Sequence, residues 1–132
     1  MISETYPLAS WFLLVNGAAF LLVYALPLTI APLTWARWFQ WEVPEGRADL
    51  TVYLGRCTGV LALTIIMLAF RAAPDPVGHL WIFELLAVAT GLMVLLHLWG
   101  LVRRIQPWTE HLEILLYGAV CAGSIWLWLQ LG

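Results

Sequence analysis

The sequence predicts an all-α integral membrane bundle of four transmembrane helices, and three observations carry that reading. Of the 132 residues, 63% are hydrophobic and only 11% charged, too little polar surface to wrap one soluble core. Four apolar runs, 8–31, 50–70, 80–102 and 112–131, follow one another. Each is about twenty residues long, which is what an α-helix needs to cross a ~30 Å hydrocarbon layer. None alternates in polarity as a spanning β-strand would. Residues 1–132 form one transmembrane domain, with nothing left over for a soluble one.

The first span is preceded by residues 1–7, which hold Glu4 and no basic side chain. That is unlike the positive start of a secretory signal, so the run is expected to be retained. Pro27 and Pro32 are expected to close it. The connection that follows is the least ordinary in the chain, because Trp35, Trp38, Phe39 and Trp41 crowd into seven residues. Tryptophan favours the headgroup region, and Trp35, Trp38 and Phe39 fit i, i+3, i+4 spacing. A short interfacial helix anchored by these aromatics is expected, with a docking patch as the sharper alternative.

Pro44 and Gly46 precede the second span, which holds Gly55 and Gly59 at GxxxG spacing and places Arg56 between them. Arg56 lies about 10 Å deep at ~1.5 Å per residue, where an arginine needs water, phosphate or a carboxylate. Matching depth along the other spans brings His97, Glu113 or Glu110, Tyr53 and Tyr117 to the same level. The expected cluster is Arg56, His97, Glu113 and Tyr53. It reads either as an ion pair that fixes helix register or as a polar site for a quinone headgroup, an anion or a proton.

Pro74, Pro76 and Gly78 separate the second and third spans. In the third, Glu84 is a second intramembrane charge, and Arg71 and Asn16 are expected to share its depth as a second polar cluster. Ala87 and Gly91 in the third span, and Gly118 and Ala122 in the fourth, repeat the small-residue spacing of Gly55 and Gly59. Their recurrence points to a compact bundle, a homo-oligomer or a larger membrane complex. Pro107 precedes the fourth span.

Orientation follows from arginine, since the chain has no lysine. Arg37 and Arg47 lie in the first loop and Arg103 and Arg104 in the third, whereas the second loop carries only Arg71. The positive-inside rule then puts both termini outside the cytoplasm. Cys57 and Cys121 stand alone, and the three histidines lack HxxxH or HExxH spacing, so no metal site is expected. A bis-histidine haem on His97 and His111 has little support, because the two differ in depth by about 6 Å. The formal charge of −2 excludes nucleic acid as a natural partner.

The proline-closed first span, the tryptophan-containing loop and a second span opening "YLGRCTGVLAL" resemble the small bacterial DoxX-like membrane proteins. An R-x-x-G near the start of that span is matched here by Arg56 and Gly59. The resemblance implies a bacterial inner membrane and, by way of better-known relatives, a link to quinone-dependent sulfur oxidation. Three functions are expected in order. The first is a noncatalytic accessory subunit packed against partner membrane proteins or itself. The second is a quinone-linked oxidoreductase subunit with its polar site at Arg56. The third is a small oligomeric transporter or channel.

Overall fold

Inside lipid every backbone N–H and C=O must be satisfied within the protein, and apolar runs of this length answer that by winding into helices. A computed structural model describes residues 2–43 and 45–132 and contains five helices; Pro44, expected as a break before the second span, lies outside the described residues. We number them α1 (Pro7–Ile30), α2 (Pro32–Trp38), α3 (Asp49–Ala72), α4 (Trp81–Arg103) and α5 (Thr109–Leu131). All but α2 are long and apolar enough to cross a membrane. The chain is a multi-pass membrane protein with an all-α fold.

Pro27 does not close the first span as expected. The helix is α-helical over Pro7–Phe20, widens to a π-helical turn at Leu21–Ala25, and resumes as α-helix over Leu26–Ile30. Proline has no N–H to give the carbonyl four residues back. Here that carbonyl, Val23, accepts the indole N–H of Trp35 at 2.9 Å. The helix therefore runs through Pro27 because α2 folds back and supplies the missing donor. Pro32 does mark the break, with Ala31 leaving helical geometry before it.

Four antiparallel spans put the first and third loops at one end of the bundle and the termini with the second loop at the other. α1 packs on α3, and α4 on α5, as two helical hairpins. Small residues set both contacts. A side chain at Gly55 would strike Pro32, and one at Gly59 would come within 2.6 Å of the Thr29 backbone nitrogen. In the other hairpin the Cys121 thiol donates to the Ala87 carbonyl at 3.3 Å, beside Gly91. The expected pair in the fourth span differs. Gly118 has open space where a Cβ would sit and Ala122 is exposed, because α5 turns Tyr117, Val120, Ser124 and Leu127 inward instead.

Between the hairpins runs a seam filled by aromatic rings rather than by close backbone approach. Phe12 lies over Gly123 and 6.4 Å from Phe83, and Phe20 lies 5.7 Å from Tyr117. At the terminal end the seam closes tightly around Ala9, Leu13, Ala72, Ile82, Phe83 and Leu127. Within the first hairpin the Ser10 hydroxyl ties α1 to α3 by donating 2.6 Å to the carbonyl of Ala73, an otherwise orphaned group at the end of α3. At the other end the seam is looser, and the polar side chains gather there.

Candidate functional site

Where α4 ends and α5 begins, the chain reverses over five residues. Arg104 takes a left-handed conformation (φ 55°), and the Ile105 N–H caps the Gly100 carbonyl at 3.2 Å. Gln106 then reaches back to donate to the His97 carbonyl at 3.0 Å. This turn sets the last stretch of α4 beside the first turns of α5. Glu110 and Glu113, three residues apart, share one face of α5 and point toward His97.

The three side chains meet in the interior. His97 Nε2 lies 3.0 Å from Glu110 Oε2 and 3.3 Å from Glu113 Oε2, and the side chains are 5%, 6% and 8% exposed. The other ring nitrogen, Nδ1, lies 2.7 Å from the carbonyl of Met93. A carbonyl only accepts, so Nδ1 carries the proton and the Nε2 position is aimed at the two carboxylates. Glu110 is held from its far side, where Oε1 accepts the indole N–H of Trp41 at 2.8 Å. Glu113 Oε2, fully buried, has no hydrogen-bond partner among the described residues.

The first loop forms the roof of this cluster. Trp35 is buried, stacks on Phe39 at 4.6 Å and meets Tyr24 edge-on at 4.9 Å. The Thr109 hydroxyl donates to the Phe39 carbonyl at 2.6 Å, so the loop is latched to the start of α5 beside Glu110. The aromatic anchor expected here is thus divided. Trp38 is exposed, whereas Trp35 and Trp41 turn inward because the Val23 carbonyl and the Glu110 carboxylate offer their indoles acceptors. The short helix falls at Pro32–Trp38.

Two clefts flank the cluster. One, of about 350 Å³, lies between α1 and α5, with Glu113, Tyr117 and Tyr24 at its polar end and Asn16 further along. Its rim is formed by Ala19, Val23, Leu112 and Leu116, all exposed on the outside of the bundle. The other, of about 330 Å³, is reached by His97, Glu110, Trp41 and Gln106. Tyr24 borders both.

The cluster expected from depth is brought together only in part. His97 and Glu113 meet, with Glu110 as the third member, but Arg56 and Tyr53 are exposed and make no side-chain hydrogen bond or ion pair among the described residues. The cause is azimuth. With Gly55 and Gly59 turned toward α1, the stripe of Tyr53, Arg56, Val60, Thr64 and Met67 looks away from the bundle. The second expected cluster does not assemble either. Ile82 and Phe83 take the inward positions on α4, which leaves Glu84 exposed, and Arg71 is exposed with no partner among the described residues. Asn16 instead donates to the Phe12 carbonyl of its own helix at 2.8 Å.

Depth matching named His97 with Glu113 or Glu110, but not all three as one donor set, because the members come from two helices and no histidine motif marks it. A pair of glutamates at i, i+3 opening an apolar span was the available signal. The chain matches no protein-family model, no curated protein and no solved structure.

Proposed function

We propose that this chain binds a ring-headed amphipathic molecule of the quinone class, drawn from the bilayer, and serves as an accessory subunit rather than a self-contained enzyme. The observation that carries this reading is the cleft between α1 and α5. Its volume of about 350 Å³ lies in the range of small-molecule sites. Its walls are mostly apolar, and Tyr24, Tyr117 and Glu113 supply polar groups to it, with Asn16 and Thr109 as the other polar lining residues. Phenolic hydroxyls donate to a quinone carbonyl, a carboxyl exchanges a proton with a quinol, and the apolar rim accommodates the tail in lipid. The quinone link implied by the DoxX-like resemblance agrees with this, although the polar end is formed by Glu113 and the tyrosines rather than by Arg56.

The accessory role is supported by Gly118, where a Cβ would meet nothing among the described residues, and by the exposed Ala122, a small-residue pair that a partner span or a second copy would use. A bacterial inner membrane with both termini outside the cytoplasm is the placement that the arginines of the first and third loops favour. It puts the His97 cluster on the cytoplasmic side.

The test is titration of a short-tailed ubiquinone into the protein in lipid nanodiscs, read by photo-crosslinking with an azido-quinone. Saturable labelling on α1 and α5 is expected. Tyr117→Phe and Glu113→Gln should weaken it about tenfold, the equivalent of ~1.4 kcal/mol, and Arg56→Leu should leave it unchanged. Labelling no greater than that of lipid-exposed helix faces would reject the reading.

A further inference from the structure

We propose that His97, Glu110 and Glu113 form a binding site for a divalent first-row transition-metal ion. Three features of the cluster point to it. The first is the set of donor atoms. Nε2 of His97 and one carboxylate oxygen from each glutamate lie within 4.8 Å of one another, all on buried side chains. The ligand-to-ligand separations of 3.0 Å and 3.3 Å are those of neighbouring vertices around a small ion. With bonds of about 2.1 Å, cis positions of an octahedron are about 3.0 Å apart and those of a tetrahedron about 3.4 Å.

The second is orientation from outside the cluster. A metal-ligating histidine characteristically gives its other N–H to a carbonyl or carboxylate, which fixes the ring and its tautomer. His97 does this to Met93, and the Gln106 amide secures the His97 backbone in turn. A ligating carboxylate is likewise held by a hydrogen bond on its free oxygen, and Trp41 provides one for Glu110.

The third is charge and the unsatisfied atom. With Nδ1 protonated against Met93, the Nε2 lone pair faces Glu110 Oε2 at 3.0 Å and Glu113 Oε2 at 3.3 Å, and buried acceptors brought this close need a proton or a cation between them. A divalent cation fills that position for all three. It also supplies the partner that Glu113 Oε2, more than nine-tenths buried, lacks. One nitrogen with two carboxylate oxygens suits zinc, iron(II) or manganese(II) better than magnesium or calcium, for which imidazole is a poor ligand. Three protein ligands leave a coordination position open, and the flanking clefts border the cluster.

This inference shares Glu113 with the quinone reading, so its test contains no quinone and turns on Glu110 and Trp41, which that reading does not use. The purified chain, stripped with a chelator, is dialysed against zinc or cobalt(II), and bound metal is counted by mass spectrometry. One ion per chain is expected, with cobalt giving the visible d–d bands of a nitrogen–oxygen site. Glu110→Gln and Glu113→Gln should each weaken zinc binding at least tenfold, and Trp41→Phe about tenfold through loss of the supporting bond. Tyr117→Phe, which removes no ligand, should leave it intact. Helical content and monodispersity establish that each variant is folded. If the variants fail to fold, the wild-type chain decides alone: cobalt bands displaced stoichiometrically by zinc support the site, and their absence overturns it. Equal zinc uptake by wild-type chain and a folded Glu110→Gln/Glu113→Gln double variant overturns it as well.

Discussion

Two serines are fully buried, and their hydroxyls meet opposite fates. Ser10 donates to the Ala73 carbonyl and accepts from the Ser3 N–H at 2.9 Å, whereas Ser124 Oγ has no partner among the described residues. Removing a bonded hydroxyl strands its acceptor, while removing an orphan relieves its desolvation. Ser10→Ala should therefore lower stability by about 1–2 kcal/mol and Ser124→Ala should be neutral or raise it by up to about 1 kcal/mol. Unfolding in mixed micelles by added dodecyl sulfate measures both, and shifts of the same sign in the two variants would contradict the assignment. Neither fate is visible in the sequence, where each is a lone serine in an apolar run.

At the scale of elements, the glycines separate a working contact from an incidental one. A Cβ at Gly59 would lie 2.6 Å from the Thr29 nitrogen and 3.0 Å from the Ala25 carbonyl oxygen, both backbone atoms that cannot step aside. Gly59→Ala should cost about 1–3 kcal/mol by forcing α3 away from α1. Gly118→Ala, filling open space, should be neutral or slightly stabilising because alanine winds more readily than glycine. Thermal denaturation of the two variants side by side tests the contrast. The sequence shows both glycines in the same kind of motif, since spacing reports a stripe but not which way the stripe faces. The same limit explains Arg56 and His97. Counting residues from a span's end gives depth, and depth correctly joined His97 to Glu113; azimuth, fixed by neighbours such as Gly55 against Pro32, put Arg56 on the far side. The four spans themselves were legible, because length and hydropathy need no knowledge of neighbours.

Across the whole molecule, the two hairpins are held together chiefly through side chains, and Phe83 is fully buried at that junction. Phe83→Ala should loosen the junction by about 2 kcal/mol. That is less than the ~3–5 kcal/mol of a soluble core, because lipid rather than water would meet the exposed surface. Faster protease cleavage in the loop between α3 and α4, with helical content unchanged, would report it; an unchanged cleavage rate would count against a seam built on aromatic rings. Phe12 faces that junction near the termini, and Tyr24 faces the polar cluster near the opposite end. They are twelve residues apart, so an uninterrupted α-helix at about 100° per residue would set them about 120° out of phase. The π-helical turn at Leu21–Ala25, within which Tyr24 lies, turns the chain less per residue and so winds back part of that angle. A local irregularity of winding thus acts as a phase corrector, helping one span present rings from both of its ends to the interior of the bundle.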